Sequence, residues 1–102
     1  MTWDIRVDAQ QNQMWLAGEL TIFSVQDIRN RLLEIFMALD EVNIDLSEVT
    51  EVDTAGLQFL LLAKRKPGKR VRFARHSDEV LRMLDLANLG LMLGDPLVLR
   101  PR

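Results

Sequence analysis

The sequence of 102 residues contains no cysteine and no tyrosine, and its single histidine is His76. The absence of cysteine excludes disulfide bonds, thiol nucleophiles and thiolate metal sites. One histidine is too few for a multi-histidine zinc site, and a Ser-His-Asp triad would have to be built on His76. We therefore expect a protein that is not an enzyme and that has no metal site and no cofactor.

An excess of charge and long apolar runs are also missing. Lys and Arg number 13 and Asp and Glu number 15, a net charge of −2, which argues against a nucleic-acid-binding protein. No apolar run approaches the roughly 18 residues that cross a bilayer, and the first six residues lack the apolar core of a signal peptide. We expect a cytoplasmic protein that neither binds nucleic acid nor inserts into a membrane.

What the sequence does contain is the composition of one globular domain. Apolar residues make up 48% and charged residues 27% of the chain, close to the averages for folded domains. No internal repeat, low-complexity tract or linker divides the sequence. We therefore predict a single domain over residues 1–102.

Apolar residues at alternate positions predict the strands. Residues 3–8 and 14–20 follow this pattern on either side of a polar turn and predict a hairpin. Residues 42–46 and 71–73 predict two further strands. Residues 47–54 are mostly polar and predict a loop, whereas the pattern assigns no structure to the apolar stretch 97–99.

Apolar residues at helical spacing predict three helices, over residues 25–39, over 55–66, and from 78 to near 88–90. Ser24 and Ser77 stand at the starts of the first and third helices, where a hydroxyl accepts from first-turn amides. Alternation of strands with helices predicts an α/β fold. We expect a mixed sheet of four to five strands, an N-terminal hairpin followed by βαβ units, packed by three to four helices.

The most informative segment runs from Asp45 to Leu57 and reads D-L-S-E-V-T-E-V-D-T-A-G-L. Thr54 stands where a helix cap is expected, and one interpretation is a cap alone, worth about 1 kcal/mol. Gly56 would then permit close packing of the first turn. A threonine at a helix start is also accessible to another protein, and its phosphorylation would add nearly two negative charges beside the first-turn amides. The residues alone leave both interpretations open.

This segment resembles the signature of the STAS family, the anti-sigma factor antagonist-like domains, which is D-L-S-x-V-x-x-[ILV]-D-[ST]-[SAT]-G-L followed by an apolar helix. Residues 18–20, Gly-Glu-Leu, are similar to the family's G-E-L-D element, with Thr21 where the family often has aspartate. The resemblance covers nearly the whole chain. It implies a STAS-type domain that binds other proteins and has no catalytic machinery.

The resemblance also implies a regulatory site. In bacterial regulatory members, an anti-sigma kinase phosphorylates the Ser or Thr after the motif aspartate, the phosphorylated domain no longer holds the kinase, and a phosphatase reverses the change. Carried over, Thr54 is the phosphoacceptor. The implied partner is an anti-sigma or serine-kinase-like protein, or another signalling protein, including those of chemotaxis-type pathways. The predicted partner-contacting residues are Asp53, Thr54, Ala55, Gly56, Leu57, Thr21, Ser24 and Leu62.

A second function is compatible with the same motif. The chain is also similar to the STAS component of the bacterial lipid-asymmetry ABC transporter, which carries Asp-Thr before Gly-Leu and binds an ATPase at the inner membrane. Both functions use the surface around Thr54, so the motif does not decide between them.

Three other clusters have two interpretations each. Phe59 and Leu62 of the second predicted helix belong either to the core or to an apolar contact patch. The basic residues of stretches 64–66 and 69–70 predict a solvated helix end, the alternative being contact with an acidic protein surface or a nucleotide phosphate. The carboxylates of stretch 48–53 predict a solvated loop rather than a metal site.

Overall fold

The structure, a computed structural model, describes residues 2–87, which form a four-stranded sheet and three α-helices. The strands are β1 (Trp3–Asp8), β2 (Gln13–Leu20), β3 (Glu41–Val52) and β4 (Arg70–Ala74). The helices are α1 (Val25–Ala38), α2 (Thr54–Lys64) and α3 (Asp78–Leu86), and a short 3-10 turn (Ala9–Gln11) joins β1 to β2. The unassigned stretch 97–99 and the predicted helix end near 88–90 lie outside the described residues.

The strands lie side by side in the order in which they occur in the chain. β1 pairs with β2 antiparallel, whereas β2 with β3 and β3 with β4 are parallel. Because both parallel crossovers advance in one direction and such crossovers are right-handed, α1 and α2 lie on the same face, where they contact each other. The predicted α/β fold, with its hairpin and βαβ units, is confirmed.

Apolar side chains from the sheet and from all three helices form one core. Ile44 and Leu46 of β3, Ile28 of α1, Leu60 of α2 and Leu84 of α3 are all at most 1% exposed. Full burial of such a side chain contributes about 1.5–3 kcal/mol. Along residues 2–87, no helix is long and apolar enough to cross a membrane.

The predicted loop over residues 47–54 is wrong, because β3 continues to Val52. The pairing of β2 with β3 extends to Leu20 opposite Val52, with register shifts near Leu16 and after Gly18. These irregularities change which side chains face solvent. Thr50 and Glu51 are consecutive and both exposed, so the alternation that marks a strand is lost.

The predicted helix starts are partly corrected. Ser77 accepts a hydrogen bond from the Val80 amide at 3.3 Å, so the predicted cap of α3 is confirmed. Ser24 does not bond the first turn of α1. Its hydroxyl accepts from the Thr21 amide at 2.9 Å and donates to the Glu19 carbonyl at 2.7 Å. Ser24 therefore stabilises the connection before α1 and not the helix itself.

Two lysines of the basic cluster have structural roles. The Lys69 ammonium donates to the Phe36 carbonyl at 2.5 Å and to Asp40 at 2.9 Å, so it caps the C-terminal end of α1. The hydrogen bond from Lys69 to the Asp40 carboxylate, together with the lysine charge, lowers the pKa of Asp40. Lys64 donates to the Val71 carbonyl at 2.8 Å. The prediction of a solvated helix end holds for Arg65 and Lys66, which are exposed, but not for Lys64 and Lys69.

Candidate functional site

The residues of the STAS-like motif lie where β2 and β3 end. These strands are parallel neighbours, so the chain leaves both at one edge of the sheet. β2 continues into the connection 21–24, which we call the β2–α1 loop, and β3 continues through Asp53 directly into α2. Such edges are the usual position of binding sites in α/β folds.

Asp53 joins these two segments. One carboxylate oxygen accepts from the Gly56 amide at 2.9 Å and caps α2, and the other accepts from the Ile22 amide of the β2–α1 loop at 2.8 Å. The Asp53 amide also donates to the Leu20 carbonyl at 3.3 Å. One side chain therefore fixes both the start of α2 and the position of the neighbouring loop.

Thr54 is the first residue of α2 and not its cap. Because Asp53 caps the helix, the interpretation of Thr54 as a cap alone is wrong. The Thr54 side chain is exposed, and its hydroxyl makes no hydrogen bond with the described part of the chain. This hydroxyl is accessible to a modifying enzyme or a partner.

Gly56 allows α2 to approach β2 closely, as the sequence predicts. It is buried, and a Cβ atom at this position would overlap the Leu20 carbonyl oxygen. The close approach places the first turn of α2 against the end of β2. Any larger residue at position 56 would push the start of α2 away from the sheet.

Thr21 and Ser24, which were predicted to contact a partner, are 7% and 3% exposed. The Thr21 hydroxyl accepts from the Phe23 amide at 3.3 Å, and Ser24 bonds within the same turn. These short polar side chains bond to backbone groups of the turn, which have no strand or helix partner there. Their side chains shape the loop and expose little surface, so contact of either side chain with a partner stays a prediction.

The other predicted contact residues divide by burial. Gly56 and Leu57 are buried, Asp53 and Ala55 are half-buried, and Thr54 is exposed. Among these five residues, Thr54 is therefore the one that is exposed at the start of α2.

The outer face of α2 continues from this point. Thr54, Gln58 and Leu62 are spaced by four residues and lie on one side of the helix. Leu62 is 70% exposed, whereas Phe59 is buried in the core. Of the two apolar residues that the sequence offered for a contact patch, only Leu62 is available.

Two exposed apolar residues of the site were missed by the sequence reasoning. Ile22 is 62% and Phe23 is 94% exposed, both in the β2–α1 loop. The available signal was a pair of large apolar residues in a short connection between a strand and a helix, where turn residues are usual.

The carboxylates of stretch 48–53 do not form one cluster. Glu48 pairs with Arg6 at 2.8 Å, and Asp53 caps α2. Glu51 lies opposite Glu19 of β2. A hydrogen bond with the Glu19 carboxyl group and repulsion from its charge raise the pKa of Glu51, and repulsion from Asp53 and Glu79 adds to the effect. Within residues 2–87 no three acidic or histidine side chains are placed to hold a metal ion.

Glu51→Gln is expected to raise the melting temperature near neutral pH. Because the pKa of Glu51 is raised on folding, its favourable contribution is present below the unfolded-state pKa and is lost as pH rises through the folded-state pKa. Above that range the Glu19–Glu51 repulsion destabilises the fold, and glutamine removes it. Thermal unfolding of both proteins from about pH 4 to 8 measures the effect, which should shrink in acid.

The matched control is Glu48→Gln, which neutralises a carboxylate of the same strand that already has a cation, Arg6. We expect no stabilisation from that change. Two results would contradict a destabilising Glu19–Glu51 repulsion. One is a melting temperature of Glu51→Gln below that of the wild type at neutral pH, and the other is an increase in melting temperature that persists unchanged in acid.

These observations define a small α/β domain in which Thr54 is exposed at the start of α2. A family model described as "Mlab, STAS domain" matches residues 3–98. The chain belongs to the STAS domain family. Comparison with curated proteins gave no match. STAS domains are in general non-catalytic domains that mediate protein–protein interaction.

Proposed function

We propose that this STAS domain is a non-enzymatic partner switch, in which a protein partner docks at the start of α2 and phosphorylation of Thr54 releases it. The observation that carries the proposal is the Thr54 hydroxyl, which is exposed and not needed for capping because Asp53 supplies the cap. Modification of this residue changes the surface without removing a structural hydrogen bond.

The start of α2 is suited to a phosphate group. First-turn amides and the helix dipole favour negative charge at this end of a helix. The Gly56 amide already donates a hydrogen bond to Asp53. Thr54 takes no part in this bond, so a phosphate on Thr54 does not remove it. We therefore expect the modified domain to remain folded.

The same phosphate would disfavour a docked partner. A phosphate dianion enclosed by an interface loses its hydration. The modification thus acts on the interface and not on the fold.

The partner belongs to one of two classes. An anti-sigma or serine-kinase-like protein, or a chemotaxis-type signalling protein, would phosphorylate or sense Thr54, and a phosphatase would restore it. The second candidate is the ATPase of a lipid-asymmetry-type ABC transporter, with this chain as its accessory subunit. The matching family model is described by the name Mlab, and this description favours the second candidate.

The test is capture of partners from a lysate of the native cells with wild-type, Thr54→Ala and Thr54→Glu proteins, together with mass spectrometry of the Thr54 peptide. We expect Thr54→Glu to capture at least about 90% less of the main partner than the wild type does. This corresponds to a loss of ~1.4 kcal/mol in binding free energy. Thr54→Ala should keep the partner. Gln11→Glu adds the same charge in the turn at the opposite end of β2 and should have no effect.

The outcomes separate the alternatives. If Thr54→Glu retains every partner and Thr54 carries no phosphate, the switch is wrong. A captured transporter ATPase identifies the accessory function, and a captured kinase or signalling protein identifies the regulatory one. Circular dichroism of each variant shows that loss of binding is not loss of folding.

A further inference from the structure

The β2–α1 loop presents two large apolar side chains to solvent on a constrained backbone. Phe23 is almost fully exposed, and Ile22 beside it is mostly exposed. The Ile22 amide is held by Asp53 at 2.8 Å, and the Phe23 amide by the Thr21 hydroxyl at 3.3 Å. The Ser24 amide donates to the Thr21 carbonyl at 2.9 Å. An aromatic side chain fixed in this way binds with little loss of backbone entropy.

The surroundings of this apolar pair are uniformly acidic. Stretches 19–27 and 48–58 build the edge, and they contain five carboxylates and no lysine or arginine, although the whole chain has a net charge of only −2. Glu48 is neutralised by Arg6. The other four have no ion pair with any described residue. They are Glu19, Asp27, Glu51 and Asp53.

We infer that Phe23 and Ile22 are the anchor of the docking surface, and that the partner receives them in an apolar pocket rimmed by lysine or arginine side chains. This inference rests on the proposed function and specifies the chemistry of its partner. Exposed aromatic residues on rigid backbone are typical centres of binding energy. Uncompensated carboxylates around such a centre favour a partner surface of opposite charge.

The Glu19–Glu51 pair strengthens this assignment. Glu19 and Glu51 lie opposite each other on neighbouring parallel strands, and the charges of Asp53 and Glu79 add to the repulsion on Glu51. Glu79 is paired with Arg82 of its own helix at 3.2 Å. A partner cation would relieve the repulsion that remains within the pair, so docking gains more from these carboxylates than from ion-paired ones.

The basic rim is compatible with release by phosphorylation. The rim contacts the carboxylates at the strand ends and at Asp27 of α1, whereas Thr54 adjoins the apolar anchor through Asp53. A phosphate at Thr54 has to be desolvated against the apolar part of the partner. That cost opposes docking.

The experiment places a photoreactive phenylalanine analogue, benzoylphenylalanine, at position 23 of the full chain and maps its crosslinks by mass spectrometry in a lysate of the native cells. We expect one dominant protein, crosslinked at apolar residues that lie within a basic surface. The yield should fall about tenfold on adding roughly 1 M salt, which shortens the Debye length to about 3 Å. Phe23→Ala should weaken retention of the same protein about tenfold or more.

Two matched controls accompany it. Met37 is 89% exposed at the far end of α1, so the analogue at position 37 tests exposed apolar area alone and should give no such crosslink. Glu34→Gln neutralises a carboxylate ion-paired with Arg31 and should change nothing, whereas Glu51→Gln should reduce the yield.

The inference is overturned if position 23 gives no crosslink, if position 37 captures the same protein equally, or if the crosslinked surface is acidic or the yield is independent of salt. Repeating the crosslink with Thr54→Glu separates this inference from the proposed function. A crosslink that persists keeps the anchor and rejects the switch. Thr54-dependent capture without any crosslink from position 23 keeps the switch and rejects the anchor.

Discussion

Gly56→Ala is expected to destabilise the domain by about 3 kcal/mol, the upper end of the cost of overpacking a tight contact. In an ordinary helix the same change stabilises by about 0.5–1 kcal/mol. Here the added methyl group would overlap the Leu20 carbonyl oxygen. That oxygen belongs to backbone at the end of β2, which cannot turn away as a side chain could, so α2 has to move. Urea denaturation measures the loss of stability.

Gly68→Ala is the matched control for this prediction. Gly68 has φ of 77° and no atom near its Cβ position. Alanine there meets only the backbone cost of the left-handed region, about 1–2 kcal/mol. If Gly56→Ala is as stable as the wild type, the close approach of α2 to β2 is wrong. Equal losses at the two positions would equally count against it.

Asp53→Ala is expected to cost about 2 kcal/mol, the sum of a helix cap and a second hydrogen bond to a charged acceptor. The change removes the acceptor of both the Gly56 and the Ile22 amides. Hydrogen exchange at these two amides should therefore accelerate together, because one carboxylate protects both. Denaturation gives the stability, and exchange measured by NMR gives the local effect.

Asp53→Asn and Ser77→Ala refine the test. Asparagine keeps one acceptor oxygen, so about half of the loss is expected. Ser77→Ala removes the cap of α3 at a cost of about 1 kcal/mol and should leave the Ile22 amide unchanged. If Asp53→Ala affects the Gly56 amide alone, the proposed link between α2 and the β2–α1 loop does not exist in solution.

The sequence was sufficient for features set by periodicity and local chemistry. The hairpin of β1 and β2, the amphipathic α1 and the Ser77 cap depend on residues close together in the chain, and the structure has all three. The motif predicts a site at the start of α2, and this site stays a prediction. Close packing at Gly56 is one of the interpretations that the motif offers, and the structure shows this close approach.

The remaining features depend on contacts between distant segments. β3 is longer than its alternation suggests, because pairing with β2 continues through register shifts that local patterns do not show. Asp53 caps α2 and Thr54 does not, because the helix begins one residue earlier than predicted. The exposure of Phe23 could not be inferred, since it follows from the hydrogen bonds that fold the β2–α1 loop.

The central claim is that Thr54 controls a protein interface at the start of α2. Its most direct test is calorimetric titration of the captured and purified partner with the full chain, once unmodified and once phosphorylated at Thr54. We expect phosphorylation to weaken binding at least about tenfold, or ~1.4 kcal/mol, while the melting temperature of the domain stays within a few degrees. Equal affinities of the two forms would contradict it.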